Sequence, residues 1–276
     1  MIQLGNYNDL RVDRSTSVGL FLSDDEGTEI LLPNKYVPEN IQLDEVITVF
    51  CYLDHQERPV ATTLKPEIKR NGFAFLKVAE VNQIGAFLDW GLEKHLLVPF
   101  SEQRVKMEQG RRYIVHCYLD DKTFRLVGSA KIDRFFKNEE TTLTPNDQVS
   151  LLVSRHTDLG WEVIVDNAYK GLIFHSDNHQ DLAVGKSLTG YVKNVRPDFK
   201  IDVALAPIGA AMLEGTAATI LAALVKANGF LPLHDKSAPE DIRNQLKMSK
   251  KAFKKGVGVL YKERKIEIQE NGINLV

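Results

Sequence analysis

Apolar and polar positions alternate with a period of two, in short runs, through most of residues 1–207, and after Ala210 the period lengthens to that of a helix. The alternation predicts strands over residues 17–22, 29–32 and 46–53, then over 73–78, 85–89 and 124–130. Asp24-Asp25-Glu26-Gly27 reads as a tight acidic turn between the first two. Thr63-Leu64-Lys65-Pro66 interrupts the pattern, because proline removes a ladder donor. Residues 134–144, followed by Pro145-Asn146-Asp147, are polar and lack alternation, so both stretches read as linkers. Further on, residues 216–227 read as a helix with Ile220, Leu221, Leu224 and Val225 on one side. Ser237-Ala238-Pro239-Glu240 reads as a capping box with proline in the first turn, opening a second helix that runs to Leu246. Ser249 caps a third, whose buried stripe is Phe253, Val257 and Leu260. Residues 265–269 alternate, Asn271-Gly272 supplies a type I′ turn, and residues 273–276 return. Three helices followed by a β-hairpin is the order of a winged helix.

The strand pattern repeats. At an offset of 66 residues Gly85-Ala86-Phe87-Leu88 falls on Gly19-Leu20-Phe21-Leu22, Leu96-Leu97-Val98-Pro99 on Ile30-Leu31-Leu32-Pro33, and Cys117-Tyr118-Leu119-Asp120 on Cys51-Tyr52-Leu53-Asp54. At an offset of 75 in the other direction Gly85 meets Gly160, Leu97-Val98 meets Leu172-Ile173, Gly110 meets Gly185 and Arg125-Leu126 meets Lys200-Ile201. A period of this length is too long for a solenoid unit and suits a small globular domain. The expected organisation is three tandem β-barrels over residues 1–65, 66–137 and 145–208, followed by a winged helix over 213–276: a mainly β chain with a C-terminal α+β domain.

Composition is that of an ordinary globular chain, with 43% apolar and 26% charged residues. The N-terminal residues lack a basic and apolar leader pattern and no window approaches a membrane span, so a cytoplasmic protein without a membrane partner is expected. Cys51 and Cys117 stand at equivalent strand positions of separate barrels, out of reach of a disulfide, and read as small buried apolar residues. The net charge of −2 conceals a division between the parts. Residues 1–65 carry 5 basic and 11 acidic side chains, 66–137 carry 13 and 9, 138–210 carry 6 and 10, and 211–276 carry 11 and 7. Attraction to phosphate decays over a Debye length of roughly 8 Å, so the second and fourth parts are the expected polyanion contacts.

Each repeat runs from a Gly-Ala-Phe-like strand through a Leu-Val or Leu-Ile segment to a glycine and a final strand opened by a basic residue. This pattern resembles the S1 RNA-binding domain, a five-stranded OB-fold barrel, most clearly at Gly85-Ala86-Phe87 and Arg125, and at Gly160, Gly171-Leu172-Ile173, Gly185 and Lys200. The resemblance implies a binding face on the second and third strands, where aromatic rings stack on bases and cations hold phosphate. The first face aromatic of the family falls on Ile84 and Leu159, the second on Phe87 and Glu162, and the turn histidine on Pro99 and Phe174. Phe87 is the direct match, open to a core reading as well as a face reading. In the third barrel Trp161, Tyr169, Phe174 and His175 stand near the family positions, and Phe21 of the first lies in an acidic setting. The densest basic stretch is Lys247 to Lys265; on a helix Lys250 and Lys254 form one row and Lys251, Lys255 and Lys262 the next, opposite Phe253, Val257 and Leu260.

Gly185-Lys186-Ser187 ends like a phosphate-binding loop, but the earlier glycine that motif needs is Gln180. His175 and His179 with Asp177 and Asp181 lack the spacing of a metal site. No nucleophile elbow, paired acidic cluster or HExxH occurs, so no enzyme, cofactor or metal is expected. Three S1-like modules followed by Asp235-Lys236-Ser237-Ala238-Pro239-Glu240, Met248-Ser249-Lys250-Lys251-Ala252-Phe253-Lys254-Lys255 and Leu260-Tyr261-Lys262 resemble the bacterial conserved virulence factor B family over essentially the whole chain. That resemblance implies a non-enzymatic, RNA-binding regulator of gene expression, and the expectation drawn from it is a monomer that binds single-stranded RNA with low sequence specificity. A winged-helix reader of duplex DNA, and an adaptor on the ribosome or the RNA-decay machinery, are the alternatives.

Overall fold

The structure, a computed structural model, describes residues 1–178, 180–207 and 210–276, and for 210–214 the helical backbone alone. The first barrel is closed, with β1 (Tyr7–Thr16), β2 (Gly19–Ser23), β3 (Glu29–Pro33), β4 (Val46–Leu53) and β5 (Pro59–Thr62) in the order β1-β2-β3-β5-β4. The second comprises β6 (Phe73–Val81), β7 (Gly85–Asp89), β8 (Leu96–Pro99), β9 (Arg112–Leu119) and β10 (Leu126–Ser129), a five-stranded sheet in the order β10-β9-β6-β7-β8. Its open seam between β8 and β10 is closed by side-chain packing: a Cβ on Gly128 of β10 would stand 2.8 Å from Val98 of β8. The third, again closed, is built from β11 (Gln148–His156), β12 (Gly160–Val165), β13 (Tyr169–Phe174), β14 (Ser187–Val195) and β15 (Ile201–Ala204). The winged helix follows as α1 (Ala210–Lys226), β16 (Phe230–Leu231), α2 (Pro239–Leu246), α3 (Lys250–Lys262), β17 (Ile266–Gln269) and β18 (Gly272–Leu275), its sheet ordered β16-β18-β17. The chain forms two compact units, with the first two barrels wholly in one and the winged helix wholly in the other. No helix among the described residues is long and apolar enough to cross a membrane.

The repeat seen in the sequence has a mechanical basis. In each barrel the first strand slips register against the second at the same place, between Val12 and Arg14, Val78 and Glu80, and Val153 and Arg155. Such a bulge adds a residue to one strand and bends it, and a small barrel needs that bend to close. Gly85 is required by close approach, since a Cβ there would meet the Val98 carbonyl oxygen at 2.4 Å. Two strands of the first barrel escape the periodicity. In β1 the buried positions are Leu10 and Val12, too few to stand out, and β5 is a four-residue strand that opens on a proline.

The barrels dock through their cores. Phe50 and Tyr52 of the first share one apolar cluster with Ile68, Leu76, Trp90 and Leu96 of the second, and Phe50 meets Trp90 edge-on at 5.9 Å. Residues 134–144 do not form a free linker. Phe135 stacks on His116 at 4.0 Å and Phe136 on Phe73 at 5.1 Å, so two adjacent rings anchor a segment whose polar remainder hid them. Burial draws the His116 imidazole down from about 6.5 to about 4, and its Nδ1 has no hydrogen-bond partner. A histidine held neutral by the fold loses stability as pH falls through the unfolded value toward the folded one, so the loss runs from about pH 6.5 to about pH 4. His116→Phe, which keeps the stack, is expected to remove most of that acid sensitivity; thermal melts at pH 7 and pH 4.5 measure it.

In the winged helix Ile220 and Leu224 are buried as the spacing predicts, but Val225 is 62% exposed and Ala217 completes the stripe, because a 3.6-residue period carries position 225 away from 220. Ala238, not Ser237, is the N-cap of α2, with Pro239 at its first position. Ser237 instead accepts a hydrogen bond from the His234 backbone nitrogen. Ser249 caps α3 as expected, accepting from Ala252 N at 3.2 Å, and Phe253, Val257 and Leu260 are buried. The wing turns on Glu270-Asn271, with Gln269 paired to Gly272, and neither central residue has positive φ, so the turn is not type I′. Gly272 serves packing: a Cβ there would lie 2.2 Å from the Leu231 carbonyl oxygen of β16, a strand of two residues that the sequence pattern does not reveal.

Candidate nucleic-acid interface

Strand alternation decides the side on which Phe87 lies. Ala86 and Leu88 on β7, and Leu96 and Val98 on β8, are fully inside, so Phe87 and its cross-strand partner Leu97 face outward. The ring is half-buried, and a cleft of about 150 Å³ opens beside it, lined by Ile84, His95, Leu97 and Arg125 of the second barrel with Tyr52 and Glu57 of the first. Arg125 is committed: its Nε lies 3.1 Å from Glu57 Oε2. Phe21, at the equivalent place in the first barrel, lies under the Arg14 guanidinium at 3.8 Å, and Arg14 is in turn paired with Glu29.

In the third barrel the outward position of Phe87 is taken by Glu162, which accepts from Arg155 Nε at 2.8 Å and pairs with Lys170 at 3.2 Å. Lys170 also holds Asp133, 2.8 Å away, keeping that carboxyl below the usual range. Each of these two faces is therefore bordered by the barrel that precedes it. Trp161 lies on the other side of its strand, half-buried and edge-on to His156 at 4.7 Å. Tyr169 opens β13, half-buried, and Phe174 ends it with the Arg196 guanidinium 5.7 Å from its ring centre. His175 is exposed in the turn that follows, and Lys200, 71% exposed, pairs with Asp198 at 2.7 Å. His179 lies outside the described residues, and no metal-ligating cluster occurs among those described.

On α3 the lysine rows divide differently from the expectation. Lys251, Lys254, Lys255 and Lys262 are exposed opposite the buried stripe, whereas Lys250 is half-buried and donates to the Ser237 carbonyl at 2.8 Å, tying α3 to the start of α2. Lys254 lies 3.9 Å from Asp235 at the edge of this face.

Two residues outside the sequence-predicted interface belong with it, and one of them, Phe124, lies in the loop before β10 rather than opening the strand predicted over 124–130. Phe124 and Phe199 stand at the tips of the β9–β10 and β14–β15 loops, 65% and 46% exposed, in left-handed conformations with φ of 55° and 60°. Each immediately precedes a cation, Arg125 or Lys200. An exposed bulky residue at positive φ has neither burial nor backbone preference in its favour. The signal was present one residue before the Arg125 and Lys200 match.

Comparison with known proteins matches the first barrel and the winged helix as domains. A family model described as the CvfB-like winged helix domain matches residues 218–275, and an S1 domain model matches residues 4–64, the acidic first barrel. YitL of Bacillus subtilis, an uncharacterised protein, is 32% identical over 97% of this chain and 92% of its own length. Conserved virulence factor B of Staphylococcus aureus is 25% identical over 86% of this chain and 81% of its own. A crystal structure of a multidomain protein with nucleic acid binding domains from Streptococcus pneumoniae is 26% identical, covers 99% of this chain and 98% of that one, and superposes with a TM-score of 0.42.

Proposed function

The chain belongs to the family of YitL and conserved virulence factor B, and from that membership we propose that it binds single-stranded RNA with low sequence specificity and regulates gene expression after transcription. It acts as a cytoplasmic monomer and catalyses no reaction in this reading. The observation that carries it is the repeated pair of exposed ring and cation, Phe124-Arg125 and Phe199-Lys200, at one loop of two successive barrels. A flat exposed ring gains most from an unstacked base, which single strands offer and duplexes do not, and stacking reads no sequence. The exposed lysines of α3 add phosphate attraction.

The winged helix supports a second reading, a reader of duplex DNA, since such domains place their third helix in the major groove. Equilibrium titration of labelled oligo-U RNA with the full chain at low salt tests the first reading. Saturable binding is expected, and its absence would contradict the proposal.

A further inference from the structure

The tips of the fourth-to-fifth-strand loops are equivalent in all three barrels. Glu57, Phe124 and Phe199 have φ of 60°, 55° and 60°. Their backbone nitrogens donate to Asp54 O at 3.0 Å, Asp120 O at 2.8 Å and Arg196 O at 2.9 Å, and a cation follows each, Arg58, Arg125 and Lys200. The first barrel pairs its cation within its own loop, as the third does with Lys200, and departs from the other two in its tip residue. Its cation is folded back, Arg58 gripping Asp54 through Nε at 2.9 Å and Nη2 at 2.7 Å. Its tip is a carboxylate, and that carboxylate reaches the second barrel: Oε1 lies 3.0 Å from Lys94 Nζ and Oε2 lies 3.1 Å from Arg125 Nε. The Asp54 carbonyl accepts from the same Lys94 ammonium at 2.7 Å.

Both cations border the cleft beside Phe87. Two cations holding two oxygens of one anion next to an outward ring is the arrangement that suits a nucleotide, phosphate on the cations and base on the ring. We propose that Lys94 and Arg125 form a phosphate-binding site of the second barrel, in which the Glu57 carboxylate stands in for the phosphate until an RNA strand displaces it. The site rests on the reading of the barrels as RNA binders and deepens it. Glu57, Arg125 and Lys94 are 37%, 53% and 27% exposed, so solvent screens both pairs in part and the exchange costs little. Glu57 then sets how strongly a strand must bind before the second barrel engages.

Oligo-U binding by the full chain at low salt tests the site with four variants: Glu57→Gln, Asp25→Asn as a barrel-one charge control, Lys94→Ala with Arg125→Ala, and that pair combined with Glu57→Gln. Glu57→Gln is expected to tighten binding roughly three- to ten-fold, the size of one charge contact. Asp25→Asn should stay within about two-fold, because screening confines the effect to near neighbours. No gain from Glu57→Gln, an equal gain from Asp25→Asn, or a gain that persists without Lys94 and Arg125 would overturn the proposal. A second readout needs no RNA. Titration with inorganic phosphate, followed by the NMR signal of the Arg125 Nε–H, should shift that signal at lower concentration in Glu57→Gln than in the parent chain. No shift in either protein overturns the site even if RNA binds elsewhere, whereas a shift in a chain that fails to bind RNA would retain the site and contradict the proposed function.

Discussion

Replacing Lys251, Lys255 and Lys262 with alanine together is expected to weaken oligo-U binding by roughly 10- to 100-fold at low salt and to flatten the salt dependence by about two units of slope. Each cation that meets a phosphate of a single strand contributes a slope of about 0.7 through counterion release, so three contacts account for the change. The fold should survive. All three side chains are exposed on the side of α3 away from Phe253, Val257 and Leu260, and none is ion-paired among the described residues. Lysine to alanine at such positions favours the helix slightly. Lys250→Ala is the contrasting variant. Its ammonium donates to the Ser237 carbonyl, so its loss should lower the melting temperature and leave the salt slope nearly intact. A triple variant that binds as the parent does would remove the winged helix from the interface.

Phe124→Ala with Phe199→Ala is expected to weaken binding by at least about 30-fold, since each of the two stacked bases is worth about 1–3 kcal/mol. Because the two rings are 65% and 46% exposed, the double variant should melt at or above the parent temperature. Stacking is tolerant of base identity, so the loss should be similar for oligo-U and for mixed sequence. Trp161→Ala with Phe174→Ala is expected to weaken binding too, but with a lower melting temperature, because Trp161 packs on His156 and Phe174 lies under Arg196. Titration calorimetry and thermal melts on the same samples separate the two outcomes. Unchanged affinity for both pairs would leave the barrels without a stacking role.

The architecture was legible where local rules act alone. The repeat of Gly19 and Gly85 follows a close approach to the neighbouring strand's carbonyl that needs a small residue, and the stripe of Phe253, Val257 and Leu260 follows helical period. What the sequence hid are the contacts made between distant segments. Arg125 matches a binding position in the pattern, yet its partner Glu57 stands in another barrel. Lys250 shares a helical row with Lys254, but the start of α2 draws it inward. The apolar pair Phe135-Phe136 sits in a stretch whose composition is a linker's, and only the stack on His116 and Phe73 reveals its role. Glu162 takes the place of an expected ring, and the cost of a half-buried carboxylate is met by Arg155 and Lys170.

The central claim is that the chain holds unpaired strands, and competition tests it most directly. With labelled oligo-U bound to the full chain at low salt, unlabelled single-stranded RNA should displace the label at far lower phosphate concentration than duplex DNA of the same length. Displacement by duplex DNA at equal or lower concentration would contradict the claim and assign the winged helix to groove recognition instead.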